Sequence, residues 1–345
     1  MAPAPTCAEN HCPEQGFTKE PSTRDGNYRV IRWVFCFLSI LSAASRANPV
    51  LDGADPHLAV ADHSYWLYPT EAHSRQPIFA AYQSPDLVTW KRTGTILDLD
   101  RVPWVKEDGA PRHGAWAPGL CEKNGAFFLY YSVGPQNPTP SRIGVATSSS
   151  PAGPFTDSGK ALLTGGDGFE AIDPMVFIDP KDGKARLYCG GSAGAKLRVF
   201  ELENDMVRVR REIEIKQPQN FTEGVFMHVR RGIYYLSYSH GRWNDSTYSV
   251  HYSTASSPDG PWQYRGCILK SDDSHQGPGH HSFAENPVTH EWFIAYHRWE
   301  TTKTTPPFTG GRKIAIEKIT YDDHGLIRPI VMTDGKSPAS PLPVK

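Results

Sequence analysis

Five stretches of similar make-up recur along the chain, and their spacing limits the fold more than any other feature. Their centres are Tyr65-Trp66-Leu67-Tyr68, Phe127-Phe128-Leu129-Tyr130-Tyr131, Arg186-Leu187-Tyr188-Cys189, Ile233-Tyr234-Tyr235-Leu236-Ser237-Tyr238 and Trp292-Phe293-Ile294-Ala295-Tyr296. Short runs rich in aromatic and aliphatic residues, bounded by turn residues, read as strands. In units one, two and four the same order follows: a second strand, a Ser-Pro turn, an aromatic and an outer strand. The turns are Ser84-Pro85, Ser150-Pro151 and Ser257-Pro258, and the aromatics are Trp90, Phe155 and Trp262. Unit three keeps this order in degenerate form, with Leu197-Arg198-Val199-Phe200 and then Val207-Arg208-Val209. Unit five has Lys313-Ile314-Ala315-Ile316-Glu317 and then Leu326-Ile327-Arg328-Pro329 as its expected outer strand. Helical periodicity is nearly absent. Four short strands per unit, repeated five times, predict an all-β protein: a five-bladed β-propeller with four antiparallel strands per blade, over residues 48–335.

Composition agrees. The 345 residues include 30 Gly and 30 Pro, as many short strands joined by turns require. Net charge is -1, from 36 basic and 37 acidic residues, with no basic stripe, so nucleic acid is excluded as a partner. Six cysteines are present, at positions 7, 12, 36, 121, 189 and 267, without metal-type spacing. The last three lie in the body of the chain and are expected to be buried free thiols rather than a disulfide framework.

The first 47 residues differ from the rest. Residues 1–28 form a polar, Pro-rich leader. In residues 29–47, Arg29 and Arg32 precede an apolar run from Trp33 to Leu41, and small residues follow it. This is a secretory-signal pattern, too short for a comfortable membrane span, and it predicts a secreted or periplasmic protein with no span in the mature form. Its distance from Met1 implies a later true start or a membrane anchor. Residues 336–345 read as a loose Pro-rich tail.

A propeller sets the first strand of each blade around a central channel. At that place the five units carry Asp55, Trp116, Asp173, Glu223 and the pair His280-His281. Asp-Pro and Glu-Gly are ordinary turn pairs, so one such acid alone means little. Three acids entering equivalent strands are not explained by turn propensity. Hydrolysis of a glycosidic bond needs one carboxylic acid to protonate the leaving oxygen and one carboxylate to activate water.

These motifs resemble glycoside hydrolase family 43 from residue 48 to about 333. The matching pieces, in order, are Ala54-Asp55-Pro56, Trp116-Ala117-Pro118, Ile172-Asp173-Pro174, Thr222-Glu223-Gly224, Gly277-Pro278-Gly279-His280 and Gly310-Gly311-Arg312. The resemblance implies an inverting hydrolase with Asp55 as general base, Glu223 as general acid and Asp173 as a third acid that orients the donor and raises its pKa. Arg312 is implied beside the carboxylates as a substrate-binding residue that also reaches a sugar hydroxyl, and Trp116 as a wall or platform for the sugar. His281, His297 and Arg298 are further polar candidates near the channel, with His281 and Arg298 expected to bind substrate. As plainer alternatives, Trp116 fills core and Arg312 pairs a surface acid. His280 is implied to face a central ion, often calcium; no cofactor is required for the chemistry. The expected substrate is a plant cell-wall oligo- or polysaccharide and the expected activity α-L-arabinofuranosidase. β-Xylosidase, endo-arabinanase and galactofuranosidase are the alternatives in the family, and a non-catalytic sugar-binding propeller the alternative outside it. A monomer is expected. The run Arg242-Trp243-Asn244-Asp245 reads as a loop over the pocket.

Overall fold

The computed structural model describes residues 48–72, 76–192, 194–300, 305–335 and 337–343. The polar leader and the signal-like segment lie outside the described residues. Blade one consists of strands Ala54–Ala61, Ser64–Thr70, Ile78–Ser84 and Lys91–Asp98. Blade two consists of Ala115–Lys123, Ala126–Val133 and Arg142–Ser148, and two short strands, Thr156–Asp157 and Leu163–Thr164, share its outer place. Blade three is Met175–Ile178, Ala185–Cys189, Arg198–Leu202 and Val209–Ile213; blade four is Glu223–Arg230, Ile233–His240, Ser249–Ala255 and Gln263–Leu269. All neighbouring strands within a blade run antiparallel, and the five sheets form a five-bladed propeller.

Blade five departs from the sequence expectation. Its inner three strands are Gln276–Glu285, Trp292–Trp299 and Lys313–Ile319, but its outer strand is Leu51–Asp52, from the start of the described chain. Leu51 pairs with Ile314 and Asp52 with Lys313. The segment Leu326-Ile327-Arg328-Pro329 instead turns back on itself through one bridge, Tyr321 to Ile327. The ring therefore closes by pairing residues 51–52 with the third strand of blade five in one sheet, which covers part of that strand's edge. Asn48 extends the closure. Its side-chain amide donates to Ile316 O at 2.9 Å and accepts from Ile316 N at 3.0 Å, as a backbone rung would.

The aromatic second strands are buried on both faces, because each blade is covered by a neighbour on either side. Their tyrosines serve two purposes. The rings fill the inter-blade layers, and four hydroxyls reach across to the next unit's outer turn. Tyr68 donates to Pro151 O at 2.8 Å, Tyr130 to Met206 O at 2.7 Å, Tyr188 to Pro258 O at 2.7 Å and Tyr235 to Gly325 O at 2.6 Å. Each bond stabilises by about 1 kcal/mol, and together they explain why tyrosine and the turn recur in step. Blade one's turn is held differently. Ser340 N donates to Asp86 O and Leu342 N to Pro85 O, while Asn286 of blade five holds the Ser340 hydroxyl. The Pro-rich tail is thus not loose over 337–343; it clasps blade one to blade five. Of the three body cysteines, Cys121 and Cys189 are buried free thiols as expected, while Cys267 on an outer strand is exposed. No helix among the described residues is long and apolar enough to cross a membrane.

Candidate active site

The inner strands share one local distortion at their entrance. Asp55, Ala117, Asp173, Gly224 and His280 have φ of 49°, 44°, 56°, 62° and 41°, one in each blade. In blades one, two, four and five the register to the second strand slips at this point, so each is a β-bulge. Each bulge N–H needs a partner, and the preceding blade supplies it. Ala117 N donates to Thr70 Oγ1 at 2.8 Å, Asp173 N to Ser132 Oγ at 2.9 Å, His280 N to Ser239 Oγ at 2.8 Å and Asp55 N to His297 Nδ1 at 3.2 Å. Blade three ends its second strand in Cys189-Gly190 and has no hydroxyl to offer. There Gly224 N donates to Asp173 Oδ2 at 3.0 Å instead.

This ring corrects one detail of the sequence alignment. Asp55, Asp173 and His280 hold the bulge position, but Glu223 stands one residue before it, at the place of Trp116. The bulge in blade four falls to Gly224. Glu223 comes close to blade three there: a Cβ added at Gly191 would lie 2.4 Å from Glu223 Cβ, so only glycine allows the approach. Trp116 is set likewise, with its indole laid over Gly114 and Gly134.

All three acids are buried. Arg312 Nη1 donates to Asp55 Oδ1 at 3.0 Å, and His280 Nδ1 lies 3.4 Å from Asp55 and 3.6 Å from Asp173. Burial alone would push the Asp55 carboxyl up. The Arg312 guanidinium, His280 and the His297 contact overcome it and hold Asp55 well below the ordinary carboxylate range. Glu223 moves the other way, to about 7, raised by burial and by the charge of Asp55 against the opposing hydrogen bond from Tyr248. Burial also pushes Asp173 well above its ordinary value, with the charges of Glu223 and Asp55 adding. The cluster therefore holds one carboxylate matched to one arginine beside two carboxyls that favour their protons.

Tyr248 was not singled out by sequence reasoning. Its hydroxyl donates to Glu223 Oε1 at 2.8 Å, and its ring stacks on His297 at 5.6 Å and 7°. Nothing in the sequence separates it from the other buried tyrosines. His297 is brought to the cluster, but Arg298 and His281 are not. Arg298 is fully buried and spent on Glu300, Asp334, Thr333 O and Tyr296. His281 bonds Ser237 at 2.7 Å, on the opposite side of its strand from His280.

Calcium takes six to eight oxygen ligands. His280 Nδ1 faces one carboxyl oxygen each of Asp55 and Asp173, already engaged with Arg312 and Gly224 N. These side chains alone do not make a calcium cage, so an ion facing His280 would take most of its shell from water. Among the described residues, His275, Glu300 and Asp334 lie close enough to share an ion, but Arg298 already occupies both carboxylates as their cation.

The model of glycosyl hydrolases family 43 matches residues 46–327. The chain belongs to this family. Family 43 members hydrolyse O-glycosyl bonds, and this chain is such a hydrolase. It is 35% identical over 310 residues to a β-D-galactofuranosidase of Aspergillus niger, covering 85% of this chain and 87% of that one. It is 30% identical to xylosidase/arabinosidase 43A of Humicola insolens, covering 68% and 78%. Among solved structures it superposes on a thermostable family-43 glycoside hydrolase with TM-score 0.67 at 27% identity, covering 87% of this chain and 99% of that one. It also superposes on a Bacillus subtilis arabinoxylan arabinofuranohydrolase solved with cellotetraose, with TM-score 0.70 at 26% identity, covering 86% and 70%.

Proposed function

We propose that this family 43 hydrolase releases a single furanosyl sugar from plant cell-wall polysaccharide with inversion, and that α-L-arabinofuranose is its preferred sugar. The observation that carries the mechanism is the unlike surroundings of two buried carboxyls: Asp55 is bonded by Arg312 at 3.0 Å, which favours its ionised form, and burial raises Glu223 to about 7. Enzymes obtain an acid and a base from two carboxyls by giving them unlike surroundings.

In this reading Glu223 donates its proton to the glycosidic oxygen as the C1–O bond breaks. Asp55 takes a proton from a water molecule, whose oxygen bonds to C1 from the opposite face. Asp55 ends protonated, Glu223 ends ionised, and solvent restores both. Asp173 fixes the backbone beside the acid through Gly224 N. Arg312 keeps Asp55 ionised, and Trp116 walls the sugar.

A second reading, β-D-galactofuranosidase activity, is favoured by the Aspergillus niger relative. The two sugars share their ring configuration and differ in the length of the exocyclic arm, so one set of acids serves either. The test is a rate comparison on nitrophenyl α-L-arabinofuranoside, β-D-galactofuranoside and β-D-xyloside. Fastest release from the arabinofuranoside supports the first reading; preference for the galactofuranoside replaces it with the second. No release from any of the three overturns both.

A further inference from the structure

Trp243 is 42% exposed, the one large aromatic side chain open to solvent to that degree among the described residues. It lies in the loop between strands Ile233–His240 and Ser249–Ala255 of blade four. An exposed indole on a mobile loop would mean little, but this one is held. Asp245 N bonds Arg242 O at 3.0 Å and Thr247 N bonds Asp245 Oδ1 at 2.9 Å. Trp299 Nε1 donates to Trp243 O at 3.1 Å, and Phe308 N donates to Asn244 O at 2.7 Å. The Trp243 ring stacks on Trp299 at 6.3 Å and 24°. The Arg312 guanidinium packs against it, 4.9 Å from the ring centroid. That same guanidinium bonds Asp55 at 3.0 Å. One arginine thus separates a rigid, half-open indole from the carboxylate assigned as base.

The loop is also tied to the acid. Gly241 N donates at 3.3 Å to the hydroxyl of Thr222, the residue before Glu223. A general acid stands beside the oxygen it protonates, so the departing sugar lies on its side of the scissile bond. Sugar rings present C–H faces that pack on aromatic surfaces, and a flat ring held in place costs little ordering on binding. We propose that Trp243 is the stacking platform for the sugar ring on the leaving-group side of the scissile bond. The platform rests on the hydrolase reading above, and it makes Trp243 a specificity residue rather than a catalytic one.

The test uses the full chain with Trp243→Ala and Trp243→Phe. The probes are α-L-arabinofuranosyl xylobiose and methyl α-L-arabinofuranoside, with the two corresponding β-D-galactofuranosides. Trp243→Ala is expected to lower kcat/KM about tenfold on the sugar-linked probes, chiefly through KM, a loss worth about 1.4 kcal/mol. On the methyl glycosides the change stays within about twofold, and Trp243→Phe recovers most of the loss. A half-exposed side chain can be cut back without unfolding the blade, and an unchanged thermal midpoint checks this. Equal losses on both kinds of probe overturn the proposal, since the ring would then act only by steadying Arg312. No loss on either overturns it as well. A wild-type protein that cleaves none of the four probes sinks the furanosidase reading above, which is a different result from a variant that matches an active wild type.

Discussion

The carboxylate of Asp173 accepts the N–H of Gly224 at 3.0 Å, across the boundary between blades three and four. It fills the place that Thr70, Ser132, Ser239 and His297 fill at the other boundaries. Asp173 therefore grips the backbone from which Glu223 projects. The two carboxyls also repel each other's charged forms, so Asp173 acts on Glu223 both by position and by charge.

Asp173→Asn keeps an oxygen able to accept from Gly224 N, and Asp173→Ala does not. The alanine variant leaves a buried N–H without a partner and should lose about 1–3 kcal/mol of stability. The asparagine variant should stay within about 1 kcal/mol of the parent and keep at least roughly tenfold more activity than the alanine variant. Urea unfolding with parallel kcat measurements checks this. An alanine variant as stable as the parent would show that the N–H has another acceptor.

Tyr248→Phe removes a hydrogen bond that favours the ionised form of Glu223. Its loss raises the Glu223 pKa from about 7. With Glu223 as the proposed acid, activity requires it protonated, so the alkaline limb of kcat/KM should move to higher pH. The plateau should fall, because the acid is weaker and less well aimed. With Asp55 as the proposed base, the acid limb is its own, lies below the ordinary carboxylate range, and should not move. A pH–rate profile of both proteins decides it; an alkaline limb shifted to lower pH would refute the role of Tyr248.

What could be read from the sequence follows burial. The second strands are covered on both faces, so their composition is nearly unbroken aromatic and aliphatic, and five of them are visible at a glance. Asp55 and Asp173 were legible because each stands before proline at the entrance of an apolar run. Glu223 was found by its charge but set one place too late, because a glycine with positive φ takes the bulge position after it. Arg298 and His281 were misplaced for a related reason. Alternate residues of a strand face opposite ways, so His297 and His280 reach the cluster and their neighbours cannot. The closing strand was illegible because Leu51–Asp52 is only two residues long and its partner is more than 260 positions away.

That closure has its own test. Asn48 gives both rung bonds to Ile316 and a third, at 2.9 Å, to the buried Glu317. Asn48→Ala leaves both Ile316 N–H and Ile316 C=O without their side-chain rung at the seam of the ring, while Glu317 Oε1 keeps its bond from Thr333 N at 2.9 Å. The expected loss is about 2–4 kcal/mol, larger than for a surface asparagine. Thermal unfolding measures it, and a loss under about 0.5 kcal/mol would mean that the seam is held elsewhere.

The last prediction is stereochemical. Asp55 is bonded to Arg312 and held ionised, which suits either a base acting through water or a nucleophile attacking the sugar directly. The two roles differ in space. A base needs a water molecule between itself and C1, with the two carboxyls roughly 6.5–9.5 Å apart; a nucleophile needs about 5–5.5 Å. Asp55 and Glu223 belong to the first and fourth of five blades, with blade five between them through the closure. Asp55 holds the bulge position and Glu223 the residue before it, so the two leave their strands at different levels. Both features favour the wider spacing and the base. The first sugar formed should then carry the inverted anomeric configuration, and no glycosyl-enzyme should accumulate. Proton NMR in the first seconds of hydrolysis reads the anomer before mutarotation blurs it. Glu223→Gln gives the matching result for the acid: a large loss on substrates with a sugar leaving group and a smaller one on activated aryl glycosides, which need less protonation. Retained configuration would make Asp55 a nucleophile, even if Glu223→Gln behaved as expected.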